Sequence, residues 1–449
     1  MRRINKKNKR LIISVMLATQ LIFFAVMPVN ATGVVAEKNE AFEFVDAMRV
    51  GWNLGNALDS VDLKKQGIVT DLTYTTPEIF YETLWGNPVT TKEMIEGIAE
   101  GGFGAVRVPV SYYDHFDENF KISESWLIRV EEIVNYVLDS GMYCIINLHH
   151  EDGWIIADAE QIEQIDVGFA RLWRQIAEHF KEYDNRLAFE GFNEIVDAEE
   201  HWTWTSPENY AAINRLNQTF VDTVRSVGGN NAERFLILKT FAAGVTKSII
   251  DAFVLPQDSA KERLVIGVHS YSPYPFSDLR IDMSTTPTKA NSFYTILANL
   301  KKKFIDEGIP VVFTEFGARN KNNTEDRGNY VKQYVGTAKQ YGITCFWWDD
   351  GGKTKAPEEV SNFAIFDRET NEWFFPSLAR AIVSAADIGA STEDGLPAEI
   401  VWENDDGNFL DLLPIKHIVI LLVSAIALDV AIRYYRNRKS KSEQESEEL

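Results

Sequence analysis

Apolar positions along the chain follow two alternating rhythms. Short runs rich in β-branched and aromatic residues recur at Val50–Leu54, Ala105–Val110, Tyr143–His149, Leu187–Asn193, Phe235–Lys239, Leu264–His269, Pro310–Glu315 and Ile343–Trp348. These read as strands. Between them, apolar residues return every three or four positions, as in Trp126, Leu127, Val130, Ile133, Val134, Val137 and Leu138, or in Phe169, Leu172, Trp173, Ile176, Ala177 and Phe180. These are helix faces, closed by breakers such as Ser140-Gly141 and Gly228-Gly229. Eight strands alternating with helices over roughly 350 residues, joined by right-handed crossovers, predict an α/β fold, a (β/α)8 TIM barrel. A doubly wound open sheet would carry a Gly-rich phosphate turn after its first strand, and Gly51-Trp52-Asn53-Leu54-Gly55-Asn56 has the wrong spacing and bulk for one.

The barrel body spans 37–386, and the ends of the chain follow other rules. Arg2, Arg3, Lys6, Lys7, Lys9 and Arg10 precede an apolar run from Leu11 to Met27 and the small-residue pattern Val29-Asn30-Ala31. Residues 1–31 therefore read as a signal peptide that exports the body behind it. Residues 387–410 are rich in Asp, Glu, Gly and Pro, as in an acidic linker. Residues 411–432 read as a single transmembrane helix, apolar from Ile418 to Ile432 except for Ser424 and Asp429. Its flank, Arg433-Tyr434-Tyr435-Arg436-Asn437-Arg438-Lys439, places 433–449 as a cytoplasmic tail. The expectation is an enzyme-sized body held on the extracellular face of the cell membrane.

Composition narrows the partners. The 449 residues include 45 Lys and Arg against 66 Asp and Glu, a net charge of −21 that repels nucleic acid but not a neutral substrate. A monomer is expected. The only cysteines, Cys144 and Cys345, fall in non-adjacent strands and are expected to be free buried thiols. Trp173 sits at helical spacing and belongs to the core, whereas Trp52, Trp85, Trp154, Trp202 and Trp204 follow strands or lie in polar loops, where a flat ring can line a binding cleft.

Barrel enzymes carry their chemistry at the carboxyl ends of the strands. Those positions hold Arg107, His149, Asn193, Glu194, His269, Tyr271, Glu315, Trp347 and Trp348. Two carboxylates on opposed strands are what glycosidic cleavage requires, one donating a proton to the leaving oxygen and the other meeting the oxocarbenium-like carbon. Their mutual repulsion raises one pKa and so divides the roles. His149-His150-Glu151-Asp152 offers metal-ligand types, but adjacent histidines on a strand point to opposite faces. No metal and no cofactor is expected.

The segments Phe189-Glu190-Gly191-Phe192-Asn193-Glu194, Thr314-Glu315-Phe316-Gly317, Arg107-Val108-Pro109-Val110, Asn147-Leu148-His149-His150, His269-Ser270-Tyr271 and Phe346-Trp347-Trp348-Asp349, in that set and spacing, resemble glycoside hydrolase family 5, the large cellulase family. Gly51-Trp52-Asn53-Leu54-Gly55-Asn56 and Trp85-Gly86-Asn87-Pro88 are similar to its endoglucanase and xyloglucanase branch. The resemblance implies a retaining endo-β-1,4-glucanase acting on cellulose-like, xyloglucan or mixed-linkage β-glucan, with Glu194 as acid/base and Glu315 as nucleophile. It implies that Arg107 and Tyr271 hold Glu315 ionised, that His149 and His269 orient substrate and acid, and that Asn193 meets the sugar 2-hydroxyl. The implied substrate-binding set is Arg107, His149, His150, Asn193, His269, Tyr271, Trp347, Trp348, Asn53 and Trp154. Period-two alternation turns only one of Trp347 and Trp348 inward, and Trp347 is favoured as the sugar platform. Two departures stand out: Ile195 where the family often has proline, and Asp350 where this branch usually has asparagine. A β-mannanase, xylanase or β-1,3-glucanase shares the carboxylate pair. A membrane-tethered glycan-binding protein without catalysis would have no use for two repelling carboxylates in one cleft.

Overall fold

Eight parallel strands close on themselves in chain order: β1 (Gly51–Leu54), β2 (Ala105–Val108), β3 (Tyr143–Asn147), β4 (Leu187–Glu190), β5 (Leu236–Lys239), β6 (Leu264–His269), β7 (Val311–Phe316) and β8 (Thr344–Asp349). β8 returns to β1 through the pairs Gly51–Phe346, Trp52–Trp347, Asn53–Trp348 and Leu54–Asp349. This computed structural model describes residues 39–61, 76–151, 154–278, 291–352 and 362–388. The expected (β/α)8 barrel is the architecture found. Strands β2, β3 and β4 end earlier than the apolar pattern suggested, so His149, Asn193 and Glu194 stand on loops just past the ladder, where alternation no longer dictates direction.

Helices α1 (Glu40–Ala47), α2 (Pro77–Thr83), α3 (Lys92–Glu100), α4 (Glu124–Asp139), α5 (Ile162–His179), α6 (Pro207–Val227), α7 (Lys247–Ala252), α8 (Tyr274–Ser277), α9 (Asn291–Lys303), α10 (Thr324–Gln340) and α11 (Pro376–Ile388) fill the connections. A two-stranded hairpin, β9 (Phe366–Asp367) and β10 (Glu372–Trp373), follows β8. Their limits follow local chemistry. Ser206 caps α6 by accepting the Asn209 N–H, Pro207 opens its first turn, and Gly228 ends it at φ 74°.

Alternation along the strands separates two cores. Ala105, Ile145, Ala188, Ile237, Val265, Val312 and Phe346 point into the barrel and pack with Phe44 and Val45 of α1 and with Met48 at its C-cap, which together close the floor. The Thr344 hydroxyl donates to the Val45 carbonyl at 2.7 Å, and Phe44 stacks on Phe235 at 4.1 Å. Gly51 is required here, because a Cβ would lie 2.0 Å from the Phe346 ring. The other faces of the strands, with Trp52, Cys144, Phe189, Leu238, Phe313 and Trp347, pack against the helices. Trp173 is buried as expected, donating its N–H to the Gly191 carbonyl at 2.9 Å. Both cysteines are free and buried.

Among the described residues no helix is long and apolar enough to cross a membrane. The segments read as signal (1–31), membrane span (411–432) and tail (433–449) lie outside the described residues. So does the stretch read as a linker, apart from its first two residues, which belong to α11.

Candidate active site

Above the apolar floor, the inward positions of the strands turn polar. Asn53, Arg107, Asn147, Glu190 and Lys239 come from β1 to β5, and all five are buried. Arg107 is their hub: its Nε donates to Glu190 at 2.7 Å, one terminal nitrogen to Asn53 at 3.0 Å and Glu315 at 2.8 Å, and the other to the Asn193 side-chain oxygen at 2.9 Å. Such a planar fork fixes several carbonyl and carboxylate groups at once, which a lysine could not. Lys239 completes the neutralisation of Glu190, donating to it at 2.9 Å. A buried charge stripped of its partner costs about 3–5 kcal/mol, so these pairs hold one another in place.

The direction of Glu315 comes from a break in the β7 ladder. Val268 pairs with Phe313 but His269 pairs with Glu315, so Thr314 is the extra residue of a bulge. Phe313 and Phe316 pack outward with the helices, while Thr314 and Glu315 both reach lumen partners, Lys239 and Arg107. Strict alternation would send Glu315 outward; the bulge turns it into the cleft.

Carboxylate oxygens of Glu194 and Glu315 come within 4.8 Å of each other, with His269 between them. His269 Nδ1 is 2.7 Å from Glu194 and 3.6 Å from Glu315. The Tyr271 hydroxyl donates to Glu315 at 3.0 Å. Glu194 sits in a desolvated recess but keeps 29% of its side-chain surface open to the cleft. Burial first, and then the Glu315 charge, push its pKa up to about 8. Burial leaves Glu315 raised as well, although Arg107, Lys239 and the Tyr271 hydroxyl offset part of the rise and favour its charged form over that of Glu194. Glu315 is therefore the ionised member of the pair and Glu194 the protonated one.

A geometry of this kind belongs to retaining glycosidases, whose two carboxyls stand about 5–5.5 Å apart. The family model described as Cellulase (glycosyl hydrolase family 5) matches residues 65–354. The chain belongs to glycosyl hydrolase family 5. It is similar to Endoglucanase A of Ruminococcus albus, with 38% identity over 77% of this chain and 93% of that protein. It is similar in structure to a GH5-4 broad-specificity endoglucanase from Ruminococcus champanellensis with bound cellotriose, at TM-score 0.70 and 38% identity, covering 77% of this chain and 99% of that one. A family 5 xyloglucan-specific endo-β-1,4-glucanase from a metagenomic library, in complex with cellotriose, gives TM-score 0.71 and 34% identity over 78% and 99%. This family 5 chain is a glycoside hydrolase of the cellulase type.

Several residues of the family 5 site lie elsewhere than the sequence suggested. Trp347 is fully buried against the helices, edge-on to Phe316 and under Arg327, with its N–H on the Phe363 carbonyl at 3.0 Å, so it offers no face to a sugar. Trp348 shares the inward face of Asn53, is only half-buried, and lies parallel to the His149 ring at 5.8 Å. Of the two rings, Trp348 is therefore the one that faces the cleft, because the inward register of β8 runs Phe346, Trp348. Asn53 and Arg107 also have no exposed surface and cannot touch substrate. Asn53 is a strut, donating to the Thr314 and Trp347 carbonyls at 3.0 and 3.1 Å. Trp52 is buried in the helix-facing core, while Trp202 and Trp204 are exposed on the loop that follows Glu194. Trp154 is half-buried in an aromatic cluster with Phe116 and Phe120, its N–H held by Glu151 at 2.6 Å.

His149 and His150 do not diverge: their rings meet edge to face at 4.5 Å, because both stand beyond the end of β3. Donor atoms of Asp59, His149 and His150 lie within 4.8 Å of one another, though the Asp59 carboxylate already accepts the Asn56 and Ala57 N–H groups. Burial, first, and the cations nearby hold His149 and His269 well below the usual histidine range, so both rings are neutral. Glu190, Asn147, Thr314 and Lys239 belong to the site without having been given a role from the sequence. One signal was available, since a lysine two residues past Ile237 on a buried strand must face inward.

Proposed function

We propose that this chain is a retaining endo-β-1,4-glucanase that cuts the backbone of cellulose-like, xyloglucan or mixed-linkage β-glucan. The observation that carries this reading is the pair Glu194 and Glu315, close enough to act on one anomeric carbon, with the Arg107 guanidinium and the Tyr271 hydroxyl bonded to Glu315. Glu315 attacks that carbon to form a glycosyl ester, while Glu194 passes its proton to the leaving glycosidic oxygen. Glu194, now a carboxylate, takes a proton from the water that hydrolyses the ester. Arg107 and Tyr271 keep the nucleophile charged and aimed. Asn193, bonded to Arg107 through its oxygen, has its NH2 group left for the sugar 2-hydroxyl. Trp348, half-buried and backed by the parallel ring of the buried His149, is the flat wall on which a pyranose ring stacks.

Support for the choice of a β-1,4-glucan comes from relatives described as endoglucanase and xyloglucan-specific endoglucanase. Side-by-side assays on barley β-glucan, xyloglucan, mannan and xylan test it: a mixture of internal fragments from the first two is expected, and cleavage of mannan or xylan alone would discard the reading. Residues 1–31 and the basic flank after 411–432 support export and a membrane tether that leaves the barrel outside the cell. In fractionated cells the intact chain should sediment with membranes, and a chain ending at residue 388 should not.

A further inference from the structure

Lys239 lies at the centre of the lumen with no exposed surface, and its ammonium meets three acceptors at 2.9 Å each: Glu190, the Thr314 hydroxyl and Nε2 of His269. Room for it comes from Gly267, where a Cβ would sit 2.6 Å from the Ile237 side chain and 3.2 Å from the Glu190 carboxylate. An ammonium has three donors and no acceptor. All three are used, and the imidazole nitrogen facing it must therefore be the unprotonated one. The ring is neutral, so its single proton is on Nδ1, the atom 2.7 Å from Glu194.

We propose that Lys239 is a positioning residue of the acid/base, fixing the His269 tautomer so that the Nδ1 proton is donated to one oxygen of Glu194 and the catalytic proton is confined to the other. This rests on the assignment of Glu194 as the acid. Without the ammonium, the donor that keeps Nε2 unprotonated is gone, and His269 can carry its proton on either nitrogen. With the proton on Nε2, Nδ1 becomes an acceptor, and the Glu194 proton turns toward the histidine instead of toward the leaving oxygen. The charged and titratable groups around this relay are Arg107 from β2, His149 and His150 beyond β3, Glu190 from β4, Tyr271 beyond β6 and Glu315 from β7. Lys239 and Glu194 are the groups within hydrogen-bond distance of the His269 ring nitrogens.

The test uses the full chain as wild type, Lys239→Met and Lys239→Gln. A misdirected acid harms substrates in proportion to the protonation their leaving group needs. Lys239→Met should lose about 100-fold in kcat/KM on barley β-glucan, within the range by which general acids contribute. On dinitrophenyl cellobioside the loss should be at least about tenfold smaller than on β-glucan, because that leaving group departs without a proton and only the weaker hold of the lost cation on Glu315 is felt. Lys239→Gln returns an N–H to Nε2 and should recover β-glucan activity to within about tenfold of wild type. Equal losses on both substrates would overturn the proposal, since a merely structural role lowers both. Histidine 15N NMR of the wild type is a second measurement that needs no variant to fold: Nδ1–H at His269 supports the relay, and Nε2–H ends it. If wild type cleaves no β-glucan at all, the proposed function fails, and the tautomer measurement still decides the place of Lys239.

Discussion

Arg107, with no surface exposed, places one terminal nitrogen 2.8 Å from Oε1 of Glu315 and its Nε 2.7 Å from Glu190. The one guanidinium thus ties the nucleophile to a structural carboxylate at the heart of the barrel. Replacing it with methionine strands two buried anions that share Lys239 as their remaining cation. Arg107→Met should lose about 3–5 kcal/mol of stability in urea unfolding, and its kcat/KM should rise only at higher pH than in wild type, because Glu315 is harder to ionise. An acid limb that stays where the wild type has it would remove Arg107 from the control of Glu315.

Activity should follow a bell in pH. Glu194 works protonated, so kcat/KM should fall as pH rises through about 8, and the acid limb should report ionisation of Glu315. In Glu194→Gln, assayed with an activated aryl cellobioside so that acid catalysis is not needed, the alkaline limb should vanish. Its survival there would assign that limb to another group.

The same raised pKa makes stability fall with rising pH as well. Glu194 binds its proton more tightly folded than unfolded, so its contribution is full below the ordinary glutamate range and is lost as pH rises toward about 8. Glu194→Gln removes the repulsion with Glu315 and should melt higher than wild type at pH 8, with a smaller difference at pH 5. Thermal scans at the two values check it; a variant that melts lower at pH 8 would count against the raised pKa.

Azide separates the two carboxylates by stereochemistry. In Glu315→Ala, azide takes the place of the missing nucleophile on the opposite face from the leaving group, and the product should be an α-glycosyl azide. In Glu194→Ala, azide instead attacks the ester on Glu315, giving the β-glycosyl azide. Proton NMR of the products reads the anomer directly, and exchanged outcomes would swap the two roles.

Adjacent tryptophans should fail in different ways. Trp347→Ala empties a site in the helix-facing core and should cost about 3–5 kcal/mol of stability. Trp348→Ala should leave stability nearly intact yet lower kcat/KM on β-glucan by about tenfold or more, the loss of roughly 1.4 kcal/mol of stacking. Denaturation curves and kinetics on both variants distinguish them.

Much of this protein could be read from the order of its residues. Period-two and period-3.6 patterns are local, and eight of the first alternating with the second leave a closed barrel as the economical way to bury every apolar face, with Glu194 and Glu315 at strand ends where reactive groups collect. What lay beyond the sequence were relations between residues far apart in the chain. The β7 bulge that turns Glu315 inward depends on how β6 and β7 pair, and the choice of Trp348 over Trp347 depends on the register of β8 against β1. Lys239 gained its meaning only when barrel closure set it against His269 from the next strand and Thr314 from the strand after. Periodicity belongs to one segment at a time, whereas register, desolvation and charge balance exist only once the strands are laid side by side.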